Sequence, residues 1–325
     1  MTTSGPAPAG PFELPPELAI DTEVARRVIA EFIRGQLEQA GFERLVLGLS
    51  GGIDSAVVAY LVCEAIGADR LLAVMLPYRT SSPASRADAE SVIADLGCRS
   101  ELIEISAMVD GYFANGVAPV AGKPDDPGAS GPEGLGTSGP DGLGASGPDG
   151  LGATPLRRGN FAARMLMAVL YDRSVTWGGL VVGTGNKTES LIGYTTLFGD
   201  SACAFNPIGD LYKSQVRQLA VALGVPGAIV RKAPSADLWP GQTDEHEGGF
   251  SYPVLDRLLF WRVDKRRSVD EMVTLGFEAG MVERVDRMIA GAEFKRQVPP
   301  IAKLGPRTAG VDYLYPRRRP GSARE

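Results

Sequence analysis

Histidine is almost missing from this chain: His246 is the single one in 325 residues. A Ser–His or Cys–His catalytic unit would have to be built on it, and metal sites with several histidines are excluded. It stands in Asp244-Glu245-His246-Glu247, four successive residues that cannot all face one ion, so a solvated loop histidine is expected. Cysteine is scarce too. Cys63, Cys98 and Cys203 are odd in number and distant in sequence. That argues against a disulfide framework and for a reducing, cytoplasmic compartment. Long apolar runs are lacking. The longest, Ala56 to Cys63, has eight residues, where a membrane-spanning helix needs about 20. Met1 to Pro16 has neither a basic residue nor an apolar stretch, unlike a secretory signal. No one sign of charge prevails, with 33 Lys+Arg against 39 Asp+Glu and a net charge of −6. Most of that excess sits between Lys123 and Thr154, where one cation faces Asp125, Asp126, Glu133, Asp141 and Asp149. The remainder is close to neutral, so retention on nucleic acid by bulk charge is disfavoured.

What is present is 44% hydrophobic residues, enough for a large core. Residues 1–16, rich in Pro, Ala and Gly, read as a disordered lead-in. Residues 130–153 are three copies of an eight-residue unit, SGPEGLGT followed twice by SGPDGLGA. So much Gly and Pro cannot hold a helix or bury a core, and 124–154 reads as a flexible surface insertion. A single domain is expected over 17–310, followed by a basic tail, 311–325. Within the domain, strand and helix signals alternate. Val24, Val28, Phe32, Ile33 and Leu37 recur at helical spacing, with Asp21 or Thr22 as N-cap and Gly41 as stop. Strands are expected at Arg44–Leu49, Leu71–Leu76, Leu102–Ile105 and Leu180–Val182. Helices are expected at Ser55–Ile66, from Ser82-Pro83 to Gly97, at Phe161–Val175 and at Tyr212–Leu223. The alternation predicts an α/β fold, a parallel sheet flanked by helices on both faces. Its ligands should bind at the carboxyl ends of the strands.

The segment Gly48-Leu49-Ser50-Gly51-Gly52-Ile53-Asp54-Ser55 joins the first strand to the next helix. Its glycines let the backbone approach a ligand, and its amides, two hydroxyls and helix N-terminus form an anion site. No Lys follows the glycines, so it is not the GxxxxGK[ST] loop, nor is it GxGxxG. Asp54 beside phosphate would repel it. A hard Mg²⁺ ion bridging carboxylate and phosphate removes the conflict.

The loop resembles the pyrophosphate loop of the AMP-forming, adenylating ATP enzymes. Four further stretches narrow the likeness: Leu180-Val-Val-Gly-Thr-Gly-Asn-Lys-Thr-Glu189, Gly199-Asp200, Asn206-Pro-Ile-Gly-Asp-Leu-Tyr-Lys213 and Lys232-Ala-Pro-Ser-Ala-Asp-Leu-Trp-Pro-Gly-Gln-Thr243. With Glu293-Phe-Lys-Arg-Gln297 they form a series, in this order, that resembles the NAD synthetases over roughly residues 20–300. The resemblance implies a PP-loop ATPase fold, ATP as co-substrate, Mg²⁺ and a homodimer. It also implies one reaction. The nicotinate carboxylate of deamido-NAD attacks the α-phosphate of ATP, pyrophosphate leaves, and ammonia displaces AMP to give NAD. Such chemistry needs positioning and charge neutralisation more than a base, so one histidine is no handicap.

Carried over by resemblance, Gly48, Leu49, Ser50, Gly51, Gly52, Ile53, Asp54 and Ser55 bind ATP, Ser50 to Ser55 cradling the pyrophosphate, and Asp54 and Glu189 hold Mg²⁺. Thr184 contacts the adenine nucleotide, Lys213 neutralises the terminal phosphate, and Ser235 belongs to a mobile loop over ATP. Asn160, Arg164, Asp200, Phe294 and Lys295 face the dinucleotide; Asp54, Asp200 and Lys213 are the catalytic candidates. The segment 233–247 is expected to order over bound substrate as a lid. Three positions depart from the family pattern. Leu197 stands where many members have Lys, Ala204 where they have an acid, and Phe294 where they have His. All three fall on the side of the carboxylic acid, which motivates an alternative, an AMP-forming amide ligase acting on another acid. A tRNA-modifying protein and a non-catalytic nucleotide sensor are further alternatives. Residues 1–20 are too few for the amidase domain of glutamine-dependent members, so ammonia is the expected donor. Neither a membrane nor a nucleic-acid partner is expected.

Overall fold

The computed structural model describes residues 14–114, 155–233 and 250–308. Four parallel strands, β1 (Leu45–Gly48), β2 (Leu71–Met75), β3 (Arg99–Leu102) and β4 (Leu180–Val181), lie side by side in the order β3-β2-β1-β4. Leu45 pairs with Leu71 on one side and with Leu180 on the other. A parallel bridge between Val182 and Phe205 extends the β4 edge.

Alternation along β1 and β2 divides their side chains between two faces. Leu45, Leu47, Leu71 and Ala73 point into the larger core, beneath α1 (Thr22–Ala40), α2 (Ile53–Ile66) and α7 (Lys213–Leu223). Val46, Leu72 and Val74 point the other way, against Leu170 and Trp177 of α5 (Pro155–Trp177). The sheet is therefore covered on both faces, as the near-continuous apolar strands require. Helix α2 packs between sheet and outer helices and is buried almost all round, with seven successive residues, Ala56 to Val62, buried.

Further α-helices among the described residues are α3 (Pro83–Leu96), α4 (Ser106–Ala114), α6 (Lys187–Ile192), α8 (Gly227–Arg231), α9 (Tyr252–Leu259), which runs on into a π-helical turn at Phe260–Asp264, α10 (Val269–Thr274) and α11 (Ala279–Gly291). A second core, including Leu255, Leu259, Met272 and Val285, joins α9, α10 and α11 to α6. Leu18 completes it from the 3-10 turn Pro16–Leu18, while Glu17 accepts hydrogen bonds from Arg257 Nε (2.6 Å) and Trp261 Nε1 (3.0 Å).

Local signals place most boundaries. Asp21 caps α1 by accepting the Val24 amide at 3.0 Å, and Gly41 ends it in the left-handed conformation. Ser82 caps α3, Pro83 opens it and Gly97 closes it. Two expectations need correction. The third strand is Arg99–Leu102, not Leu102–Ile105: at the sheet edge its side chains are largely exposed, so an apolar search settles on the wrong end. The helix expected at Phe161–Val175 begins at Pro155, because Arg157, Arg158 and Asn160 interrupt its apolar spacing. In α1 the core face is Ile29, Ala30, Ile33 and Leu37, while Val24, Val28 and Phe32 are exposed. The repeat, the segment 234–249 with Ser235 and His246, and the tail from 309 lie outside the described residues.

Candidate functional site

At the carboxyl ends of β1 and β4 the chain leaves the sheet in two loops, 49–52 and 182–186, which wall a cavity of about 370 Å³. Gly48, Leu49, Ser50, Gly52, Asp54 and Ser55 line it from the first loop, and Thr184 lines it from the second. Two members of the expected cradle, Gly51 and Ile53, do not line it. Ile53 is a buried core residue that seats the first turn of α2. Gly51 adopts φ +77°, and a Cβ there would lie 2.0 Å from the Ser85 carbonyl oxygen. Only glycine lets the loop turn this closely against α3. The loop is braced internally. Ser55 Oγ accepts the Ser50 amide at 3.3 Å and donates to the Gly52 carbonyl at 3.1 Å, and Ser50 Oγ accepts the Gly52 amide at 3.2 Å.

Charge concentrates where the loop meets α6 and α7. Lys213 Nζ donates to Asp54 Oδ2 at 2.5 Å and to Glu189 Oε1 at 2.9 Å, and the lysine is only 3% exposed. Two carboxylates from helices 135 residues apart in sequence therefore converge on one cation. Glu189 has two tasks. Its Oε2 accepts the Asn186 amide at 3.3 Å while Asn186 Oδ1 accepts the Glu189 amide, a capping box that fixes α6. The same Asn186 donates through Nδ2 to Asp54 Oδ1 at 3.0 Å, which orients the other acid.

The donor set suits a hard divalent ion. Among the described residues no group of three His, Cys, Asp or Glu converges as a metal cage. Mg²⁺ commonly relies on one or two carboxylates, with substrate phosphates and water completing its shell. Asp54 and Glu189, already gathered around a single positive charge, meet that requirement.

The far wall is built from α5 and the 194–202 turn. Asn160, buried, accepts a hydrogen bond from Thr196 Oγ1 at 2.8 Å and lines the cavity. Asp200 accepts from Thr195 Oγ1 (2.6 Å) and from the Thr196 amide (2.7 Å). The residue is exposed as a whole, yet enclosure of its carboxyl raises that group's pKa, against the pull of these donors. A second cavity of about 260 Å³ adjoins the first through Gly183, Gly185, Glu189, Thr195 and Asp200. Lys295 lines it, but its Nζ donates to the Gly193 and Thr195 carbonyls at 2.8 and 2.7 Å, clasping the end of α6. Arg164 lines neither cavity; its Nε donates to the Leu197 carbonyl at 3.2 Å. Phe294 is 46% exposed and lines neither. Ser235 lies outside the described residues.

Two contributors escaped the sequence reading. Asn186 carried a legible signal, since Asn three residues before Glu is a capping pattern. Asp256 carried none. Buried in α9, it accepts Thr188 Oγ1 on one oxygen and the Ser214 amide and hydroxyl on the other. Burial pushes its carboxyl up to about 6, opposed by those donors.

Comparison with known proteins agrees with the geometry. A family profile described as NAD synthase matches residues 25–121 and 148–299, leaving out most of the repeat. An NH3-dependent NAD+ synthetase of Trichlorobacter lovleyi is 43% identical over 300 residues, covering 92% of this chain and 97% of the relative. Among solved structures, NMN synthetase from Francisella tularensis superposes with a TM-score of 0.69 at 27% identity, covering 87% of this chain and 99% of that one. An NH3-dependent NAD synthetase from Campylobacter jejuni gives 0.67 at 29%, covering 88% and all of that chain.

Proposed function

Since the chain belongs to the NAD synthase family, we infer that it is an ammonia-dependent NAD+ synthetase, a ligase that forms a C–N bond at the expense of ATP. The nicotinate carboxylate of deamido-NAD attacks the α-phosphorus of ATP. The bond to the departing pyrophosphate breaks as the acyl-adenylate forms. Ammonia then attacks the acyl carbon, AMP leaves, and the surplus proton of the new amide is lost.

The observation that carries this reading is the convergence of Asp54, Glu189 and Lys213 beside a glycine loop at the mouth of one cavity. The first turn of α2 and the hydroxyls of Ser50 and Ser55, which line the cavity, receive the pyrophosphate. Asp54 and Glu189 hold Mg²⁺, which when bound neutralises charge on the phosphate oxygens. Lys213 passes its positive charge from these carboxylates to the terminal phosphate. Thr184 and Ser235 attend the nucleotide. Asn160 and Asp200 attend the acid, and Arg164 and Lys295 support them by holding the 193–197 backbone. The reading carries with it a cytoplasmic homodimer. Tyr171 and Val175, the latter 82% exposed, give α5 an apolar surface for a second copy.

The deciding experiment is product analysis by mass. Purified protein with ATP, Mg²⁺, ammonia and deamido-NAD should yield NAD and AMP in equal amounts, and Lys213→Met should abolish both. A second reading, amidation of a different acid, is favoured by Leu197, Ala204 and Phe294 and by the likeness to NMN synthetase. It is tested by offering the mononucleotide acid in the same assay. Faster turnover of that acid than of deamido-NAD would replace the first reading with the second.

A further inference from the structure

None of the residues of α9 lines either cavity, yet the helix carries a carboxylate with no exposed surface, Asp256. Thr188 Oγ1 donates to Asp256 Oδ1 at 2.6 Å, and the Ser214 amide and hydroxyl donate to Oδ2 at 2.7 and 2.6 Å. Thr188 Oγ1 also accepts the Lys213 amide at 3.0 Å. In sequence, Thr188 stands immediately before Glu189, and Ser214 immediately after Lys213. One carboxylate thus ties the residue beside the acid to the residue beside the lysine. One turn earlier on the same face of α9, the ring of Tyr252 has its centre 5.2 Å from Lys213 Nζ.

Each helix start carries a capping box of its own, but neither box fixes one helix relative to the other. Helix α6 has six residues, too few to persist without tertiary support. At the start of α7 Gln215 Oε1 accepts the Tyr212 amide at 2.9 Å, while Thr188 and Asp256 accept the Lys213 and Ser214 amides. Leucine at 256 would fill the core at lower desolvation cost, but only an acceptor can make three directed bonds to two helix starts.

We propose that Asp256 is a positioning residue, which through Thr188 and Ser214 sets the separation of Lys213 from Glu189 and so shapes the cation- and phosphate-binding end of the cleft. This rests on the adenylation reading of that end. The effect should appear with ATP and not with the acid, which the other wall of the cavity receives. Misplacement of such groups by about 1 Å commonly costs about 100-fold.

The test uses the full chain with Asp256→Asn, Thr188→Val and Thr188→Ser, each checked for fold by circular dichroism. Asp256→Asn and Thr188→Val should lower kcat/KM for ATP about 10- to 100-fold, with KM for deamido-NAD within about twofold. Thr188→Ser, which keeps the hydroxyl, should recover most of the loss. Calorimetric titration with Mg²⁺ and a non-hydrolysable ATP analogue should show the same order of weakening, whatever acid the enzyme uses. Unchanged ATP parameters, an equal loss of affinity for both substrates, or Thr188→Ser as impaired as Thr188→Val would overturn the proposal. If Asp256→Asn fails to fold, the two Thr188 variants decide. A wild type that binds the analogue but makes no NAD would sink the functional reading and leave the binding comparison to judge Asp256.

Discussion

Lys213 and its two acids illustrate how a buried charge is matched. A buried ammonium costs several kcal/mol unless its charge is matched, and Asp54 and Glu189 match it. They are then spared the mutual repulsion that two close carboxylates would suffer. The neighbouring loop depends on one glycine in the same way. At Gly51 both the φ of +77° and the 2.0 Å approach of a Cβ to Ser85 O oppose any side chain. At Gly52 the nearest obstruction is Ser50 Oγ, at 3.3 Å, the movable end of a side chain. Gly51→Ala should therefore destabilise the protein by at least about 2 kcal/mol, and Gly52→Ala by under about 1 kcal/mol. Equal shifts in urea midpoint would contradict the geometry. Sequence alone disclosed that the backbone must pass close to something at 51–52. It could not disclose that the something is Ser85, because close approach is a property of two distant segments. The same limit hid Asp256, whose partners lie 68 and 42 residues away.

At the scale of elements, what periodicity could see was set by burial. Strands β1 and β2 are apolar at every position bar one glycine and sit in the sheet centre, and their location was legible. Edge strand β3 reads Arg99-Ser-Glu-Leu102 and carries polar side chains into solvent, so its pattern resembles a loop. In α1 both Val28 and Ile33 are apolar, but only Ile33 faces the core, and the spacing Val24, Val28, Phe32 is as helical as the true face. Helix α9 raises a different issue, since burial of Asp256 opposes its ionisation. Its carboxyl lies near 3.9 in the unfolded chain and at about 6 in the folded one. The folded state therefore holds this proton more tightly. The associated stability is fully present below about pH 4 and is lost as pH rises through about 6. Stability of the wild type relative to Asp256→Asn should fall by up to about 3 kcal/mol across that window. A difference that is flat or that grows with pH would show the carboxyl to be ionised at no net cost.

For the whole molecule, the family match and the repeat point to one experiment. The match breaks between residues 121 and 148, where the Gly-Pro-Leu units stand, while β1 to β4 and both walls of the cavity lie outside that gap. Helices α4 and α5, which the intervening chain joins, pack directly against each other. Tyr112 stacks on Phe161 with ring centres 4.3 Å apart, and Phe113 meets Phe161 edge-on at 5.7 Å. Removing 124–154 leaves nine residues, 115–123, between α4 and α5 in place of forty. Nine residues reach about 30 Å when extended, ample for neighbouring helices. Each halving of a flexible connection lowers the entropic cost of closing it by about 0.6 kcal/mol. Two halvings should therefore stabilise the fold by about 1 kcal/mol, which for a domain of this size raises Tm by roughly 2–4 °C. The shortened protein should unfold at a higher temperature and keep kcat and both KM values within about twofold, because every described side chain lining the cavity is kept. A lower Tm would mean that the repeat packs against the domain. Unchanged stability with lost activity would place it in the working of the cleft, through either the second copy of the chain or the bound acid.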